Sequence, residues 1–270
     1  MTITLSAINL YPVKSLGGIS VRSARCTPRG LEYDRRFLVV DANRRFLTQR
    51  EHPKMATVWT DIEDGSAGPM LTLAAPDLDT VAVPLAPAPG PTSDVVIWRS
   101  TVAAHEVSPE ANRFLSDYFG SPCRLVYMPD SSERKINSAF APNGEIVSFA
   151  DGYPFVLIAE ESLADLNSRM KLPLPMNRFR PNLVVKGCAP YADDAWKEIR
   201  IGTATFRHAK PCARCQVTTT DQATGEVMGP EPLATLVTYR DSTNGALFGQ
   251  NLIGDGNGTV RVGDVVEVIR

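Results

Sequence analysis

Histidine and cysteine are scarce in this chain, at three and five among 270 residues. Cys26, Cys123 and Cys188 stand isolated, which excludes a disulfide framework and predicts reduced thiols. His52, His105 and His208 are scattered, and there is no second Cys-X-X-Cys to complete a four-ligand zinc site. Excess charge is also missing. A formal charge of -2 and a pI near 6.0 give no reason to expect nucleic acid or an anionic membrane as partner. No uninterrupted apolar stretch is long enough to span a bilayer, and Met-Thr-Ile-Thr-Leu-Ser-Ala-Ile-Asn-Leu has no basic region ahead of an apolar core. The expectation is a soluble, cytoplasmic protein without a membrane partner. There is no internal repeat and no low-complexity segment.

Apolar residues make up 43% of the chain, enough for one large or two modest cores. Short apolar or alternating runs, separated by Gly, Pro, Asp and Asn, predict strands at 3–10, 20–26, 36–40, 56–61, 70–74, 80–85 and 95–98. Further strands are predicted at 155–158, 182–185, 198–201, 204–208, 217–220, 260–262 and 264–269. Ser108-Pro109-Glu110 is a cap, a proline and an acidic first turn, so Pro109 to Phe119 reads as a helix ending at Gly120. Shorter helical spacing covers 160–170 and 232–239. The fold class is therefore mainly β (α+β): a β-barrel-like N-terminal domain over 1–125 and a second β-barrel domain over 126–270, with a few short helices. The first 35 or so residues are allowed to pack with the second barrel.

Cys212 and Cys215 lie in Lys-Pro-Cys-Ala-Arg-Cys-Gln-Val-Thr-Thr-Thr-Asp. A redox Cys-X-X-Cys opens a helix whose N-terminus acidifies the attacking thiol, whereas β-branched residues at 217–220 favour an extended chain. A thiolate here needs another stabiliser, and a soft metal is a natural one. Structural zinc, a catalytic dithiol and a plain buried thiol remain open on spacing alone. Trp59, Trp98 and Trp196 each adjoin a strand and read as packing residues, while Asp193 and Asp194 read as an exposed loop, as do Asp61, Glu63 and Asp64.

Six segments occur in order: Tyr11-Pro12-Val13-Lys14-Ser15; Tyr33-Asp34-Arg35-Arg36-Phe37 with Thr48-Gln49-Arg50; Phe149-Ala150-Asp151-Gly152-Tyr153-Pro154; Phe179-Arg180-Pro181-Asn182; Lys210-Pro211-Cys212-Ala213-Arg214-Cys215; and Phe248-Gly249-Gln250-Asn251-Leu252. Together they resemble MOSC-domain proteins, in particular the bacterial YcbX proteins and the mitochondrial amidoxime-reducing components. The likeness runs from about residue 5 to the C-terminus.

The resemblance implies a molybdenum cofactor, Mo-molybdopterin, with Cys215 as the metal-ligating and catalytic thiolate. It places Lys14, Ser15, Arg35, Arg180 and Asn182 at the cofactor, with Asp151, Gly152 and Tyr153 lining the site and Gln250 and Asn251 as further pterin partners. Residue chemistry agrees: an ammonium, a hydroxyl and planar guanidinium forks suit a phosphate and a fused polar ring. By itself, Asp151-Gly152-Tyr153-Pro154 would read as a turn. The amidoxime-reducing branch has small hydroxylated residues where Gly152 and Tyr153 stand, so a bulky Tyr153 alters which substrates approach. The family's broad description also includes pyridoxal phosphate binding.

The activity implied is two-electron reduction of an N-hydroxylated compound (an amidoxime, a hydroxylamine or an N-hydroxylated base) to the parent nitrogen compound and water. Arg214 and Lys210 flank the ligand and suit a thiolate and an anionic cofactor. Some relatives carry an iron–sulfur domain after the MOSC domain or a membrane segment before it, and neither is seen between Met1 and Arg270. The expected electron source is thus a separate donor, of ferredoxin or cytochrome/flavin type. MOSC domains are also proposed as sulfur carriers or cofactor-handling modules, in which Cys215 would bear a persulfide.

Overall fold

The computed structural model describes residues 2–66, 68–243 and 245–270. Its largest sheet has eight strands, in the order Val266–Val268, Glu198–Ile201, Ala204–Ala213, Leu247–Gly254, Phe155–Ala159, Leu183–Lys186, Thr4–Leu10 and Ile19–Val21. Only Phe155–Ala159 and Leu183–Lys186 run parallel, and the helix Glu160–Ser168 lies in the crossover that such a pair requires. Phe155–Ala159 reads as an unbroken apolar run because both of its faces are covered. Leu157 packs with Leu5, Ile8 and Phe206 on one side, and Ile158 with Leu166, Phe179 and Phe248 on the other. Val266 N donates to Ile3 O and Leu5 N to Asp264 O, each at 2.9 Å, so the sheet curls until its first and seventh strands meet.

Two smaller antiparallel sheets come from the first half of the chain. One has four strands, Phe37–Asp41, Cys123–Tyr127, Ser100–Glu106 and Thr92–Ile97; the other has three, Trp59–Gly65, Gly68–Ala74 and Val81–Pro84. Phe37, Val39 and Leu125 meet Leu71, Leu73 and Val83 in one core, closed by Phe114 and Leu115 of the helix Pro109–Phe119. That helix keeps its predicted bounds. Ser108 accepts from Ala111 N at 3.0 Å, Pro109 opens the first turn, and Gly120 ends it in the left-handed conformation at φ 70. A last small sheet pairs Gly258–Arg261 with Ser23–Thr27, and that strand with Gly30–Leu31. The protein is mainly β, as the sequence predicts.

Several local expectations need correction. Val217 to Thr220 do not form a strand; Gln216–Thr219 is a single 3-10 turn. The Thr218 and Thr219 hydroxyls donate to Cys215 O and Gln216 O at 2.9 and 2.8 Å, and this back-bonding holds the turn against β propensity. Phe248 to Leu252, for which the sequence predicts no strand, belong to a central strand. Gly249 permits it, since at φ 76 an added Cβ would lie 2.7 Å from Leu157 O. Trp59 and Trp98 are 51% and 41% exposed and do not serve as core packing, whereas Trp196 does pack against the barrel core. Asp193 is buried in the short turn Ala192–Asp194, not exposed.

Candidate functional site

Cys215 ends the segment that follows the long strand Ala204–Ala213, and Cys212 lies within that strand. Both sulfurs face a cavity of about 340 Å³ between the large sheet and the N-terminal half. Lys14, Ser15, Arg35, Asp151, Gly152, Tyr153, Arg180, Asn182 and Asn251 line it as well, so the structure gathers nearly all of the expected site residues in one place. Gln250 is the exception. Adjacent strand residues point to opposite faces, so when Asn251 faces the cavity Gln250 turns away. There it contacts His208 Nε2 at 2.7 Å and donates to Asp194 Oδ1 at 2.6 Å.

Backbone geometry at the site is uncommon. Ser15, Arg35, Trp98 and Arg180 all have positive φ, at 68, 48, 53 and 52°. For residues with a Cβ this conformation costs on the order of 1–3 kcal/mol each, and the surrounding contacts must offset it. Arg35 shows how. Its Nη1 donates to Asp34 Oδ2 at 2.6 Å and to Asn182 Oδ1 at 2.9 Å, and its Nη2 donates to Arg180 O at 3.3 Å. Both guanidiniums lie against the Tyr11 ring, that of Arg35 4.4 Å and that of Arg180 4.2 Å from its centroid. The Tyr11 ring and the buried Asp34 carboxylate thus offset two neighbouring like charges.

The cations outnumber the anions. Lys14, Arg35, Arg50, Arg180, Lys210 and Arg214 line the cavity against the single carboxylate of Asp151. Lys14 is only 5% exposed, and burial pushes its ammonium down to about 8 even though Asp151 Oδ1 accepts directly from it. Burial likewise lowers Arg180, to about 10. Burial would raise Asp151, but Lys14 and Arg50 overcome that and hold its carboxyl well below the ordinary carboxylate range. Burial pushes the Cys26 and Cys188 thiols up, to about 12 and about 11, and Cys123 up as well. Each of the two cysteines of the cavity meets a guanidinium: Arg50 Nη2 is 3.1 Å from Cys215 Sγ and Arg214 Nη1 is 2.9 Å from Cys212 Sγ.

Two contributors are given no role by the sequence. Arg50 joins Cys215 to Asp151 Oδ2, at 3.3 Å, and stacks on Trp98 with 4.5 Å to the ring centroid. Its only signal was membership of Thr48-Gln49-Arg50. Arg134 is buried and donates to Ser148 O, Ala150 O and Asp151 O, fixing the loop that carries Asp151. No sequence pattern marks it.

Among the described residues no group of three or more His, Cys, Asp or Glu side chains is placed to hold a metal ion, which leaves zinc without a ligand set. The cavity does fit an anionic cofactor with its own sulfur ligands. Arg180 Nη2 and Arg214 Nε are buried donors without a partner, beside a soft sulfur atom. No helix among the described residues is long and apolar enough to cross a membrane.

The MOSC domain family matches residues 144–267, and the MOSC N-terminal β-barrel domain matches residues 2–122. Mitochondrial amidoxime-reducing component 1 of Mus musculus is 34% identical over 98% of this chain and 82% of its own length. The Homo sapiens protein of the same name is 31% identical over 98% of this chain and 83% of its own. Molybdenum cofactor sulfurase of Oryza sativa is 34% identical over 92% of this chain but only 32% of its own length. With both domains matched and full-length relatives above the level that marks common descent, this chain belongs to the MOSC-domain proteins with a MOSC N-terminal β-barrel, related to the mitochondrial amidoxime-reducing components.

Proposed function

We propose that the protein is a molybdenum-cofactor-dependent oxidoreductase that reduces N-hydroxylated compounds with electrons from a separate donor. The observation that carries this reading is the meeting of the Cys215 sulfur with Lys14, Arg35, Arg50 and Arg180 around one cavity, although these residues are far apart in sequence. When bound there, the cofactor supplies two-electron cleavage of an N–O bond.

The side chains have separable tasks in this reading. Cys215 provides the one protein thiolate, and Arg50 offsets its charge. Lys14, Ser15, Arg35 and Arg180 receive the anionic tail and the polar ring, with Asn182 bracing Arg35. Asp151, gripped by Lys14 and Arg50, keeps those two cations apart and in place before a ligand arrives. Relatives named for amidoxime reduction support this substrate class; the electron donor in this reading is a separate protein of ferredoxin or cytochrome/flavin type.

The rice relative named as a sulfurase supports a second reading, in which Cys215 carries a persulfide that Arg50 would stabilise equally well. Elemental and sulfane-sulfur analysis separates the two, on protein from a host that makes the cofactor. The reductase reading expects molybdenum near one atom per chain, lost in Cys215→Ser and kept in Cys212→Ser. Metal-free protein with labile sulfur on Cys215 would replace it with the carrier.

A further inference from the structure

A second cavity, of about 510 Å³, opens beside the first and shares Asp151, Gly152, Tyr153 and Lys210 with it. Its walls combine rings with cations. Trp98, Phe140 and Tyr153 supply the aromatic surface, and the last two meet edge to face with centroids 6.1 Å apart. Lys210 Nζ lies 5.2 Å from the centroid of Phe140 and 5.6 Å from that of Tyr153. Arg99 and Lys135 stand on the same walls, both exposed.

The charges here are unbalanced in a way that the first cavity does not absorb. Arg134 is buried and has given its guanidinium to three carbonyls, and Asp151 is engaged by Lys14 and Arg50. Among the described residues Arg99, Lys135 and Lys210 form no ion pair. Three cations without carboxylate partners, set around an aromatic-walled space, create a field that favours an anion. The exposed Trp98 indole, although Arg50 stacks on it, and the half-buried rings of Tyr153 and Phe140 leave apolar surface against which a flat ring packs. One ligand that carries both satisfies the cavity in a way that neither a bare anion nor a neutral ring does.

We propose that this second cavity holds the non-reacting part of the substrate, and that it selects planar aromatic compounds bearing a carboxylate or a phosphate. The inference rests on the reductase reading for the word substrate: the nitrogen end reaches past Tyr153 and Lys210 to the Cys215 cavity, while ring and anion stay behind. The binding itself needs no cofactor.

Titration calorimetry on the full chain carrying Cys215→Ser, with phenyl phosphate, benzoate, phenol and inorganic phosphate, tests it. The two aromatic anions are expected to bind at least about tenfold tighter than phenol or phosphate alone, and whichever binds more tightly identifies the preferred anion. Lys135→Glu and Arg99→Glu, which line only the second cavity, are each expected to weaken that binding about fivefold or more. Equal affinity for phenol and phenyl phosphate, or for phosphate and phenyl phosphate, overturns the proposal. So does binding that survives both variants but is lost in Arg35→Gln, since the anion would then sit in the first cavity. Failure of the two readings looks different. Protein that never retains molybdenum yet keeps this contrast sinks the reductase alone, whereas loaded enzyme that reduces benzamidoxime and 4-carboxybenzamidoxime with the same kcat/KM, and shows no contrast, sinks the subsite alone.

Discussion

Lys14→Met should make the protein more stable and less able to hold an anion. In the folded chain burial brings the Lys14 ammonium from an ordinary 10.5 to about 8, with Asp151 opposing. Between those two values the unfolded chain carries a proton that the folded chain has released, so unfolding becomes harder as pH rises from about 8 towards 10.5. The full span is worth roughly 3 kcal/mol. Below pH 8 the same amount is an upper bound on the cost of keeping a charge buried, and methionine fills similar space without it. Asp151 keeps Arg50 as an ion-pair partner when Lys14 is lost. With a urea slope of about 3 kcal/mol per molar, the midpoint at pH 7 should rise by as much as ~1 M. Urea titrations of both proteins from pH 7 to 10.5 should show the stability gap between them closing as pH rises above about 8, because the raised thiols of Cys26, Cys123 and Cys188 titrate alike in both and cancel from the difference. A variant no more stable at pH 7, or two parallel pH curves, would refute the argument that the site charge is held at the expense of stability.

Arg50→Leu removes a guanidinium from Cys215 Sγ and from Asp151, and should lower cofactor retention about tenfold to a hundredfold; molybdenum content after prolonged dialysis reads this, and unchanged content counts against the contact. Arg134→Met strands the carbonyls of Ser148, Ala150 and Asp151, and should cost about 3 kcal/mol or more, seen as a fall of roughly 10 °C in the melting temperature. Burial raises Asp193 to about 6, with Asp194 adding to it, so the folded chain keeps a proton that the unfolded one has lost and stability falls as pH rises from about 4 to 6. Asp193→Asn should flatten that fall and be the more stable protein at pH 7, which differential scanning fluorimetry at pH 4.5 and 7 would decide.

What could be read in advance followed the range of the interactions involved. The helix Pro109–Phe119 is specified by its neighbours in sequence: a capping serine, a proline in the first turn and a terminal glycine. The turn after Cys215 defies its β propensity because threonine hydroxyls satisfy the backbone there, a choice that propensity does not register. Ser100–Glu106 and Cys123–Tyr127 lack a clear strand signature because His105 and Arg124 interrupt their apolar alternation, and pairing with Thr92–Ile97 and with Phe37–Asp41 is what makes them strands. At the site, Lys14, Arg35 and Arg180 stood out only through ordered family motifs. Arg50 lies 165 residues from the sulfur it touches, and no local pattern could announce that contact. Trp98 reads as packing because strands usually bury indoles, yet it has positive φ and stands exposed at the rim of the second cavity.

The pairing of Thr4–Leu10 with Leu183–Lys186 imposes an order on synthesis. Ser6 leaves the ribosome 178 residues before the Val184 carbonyl that its hydroxyl will meet. At typical elongation rates that delay is roughly 10 to 40 s, during which an edge of aliphatic strand waits without its neighbour. Nascent chains of this protein should therefore lean on holdase chaperones early.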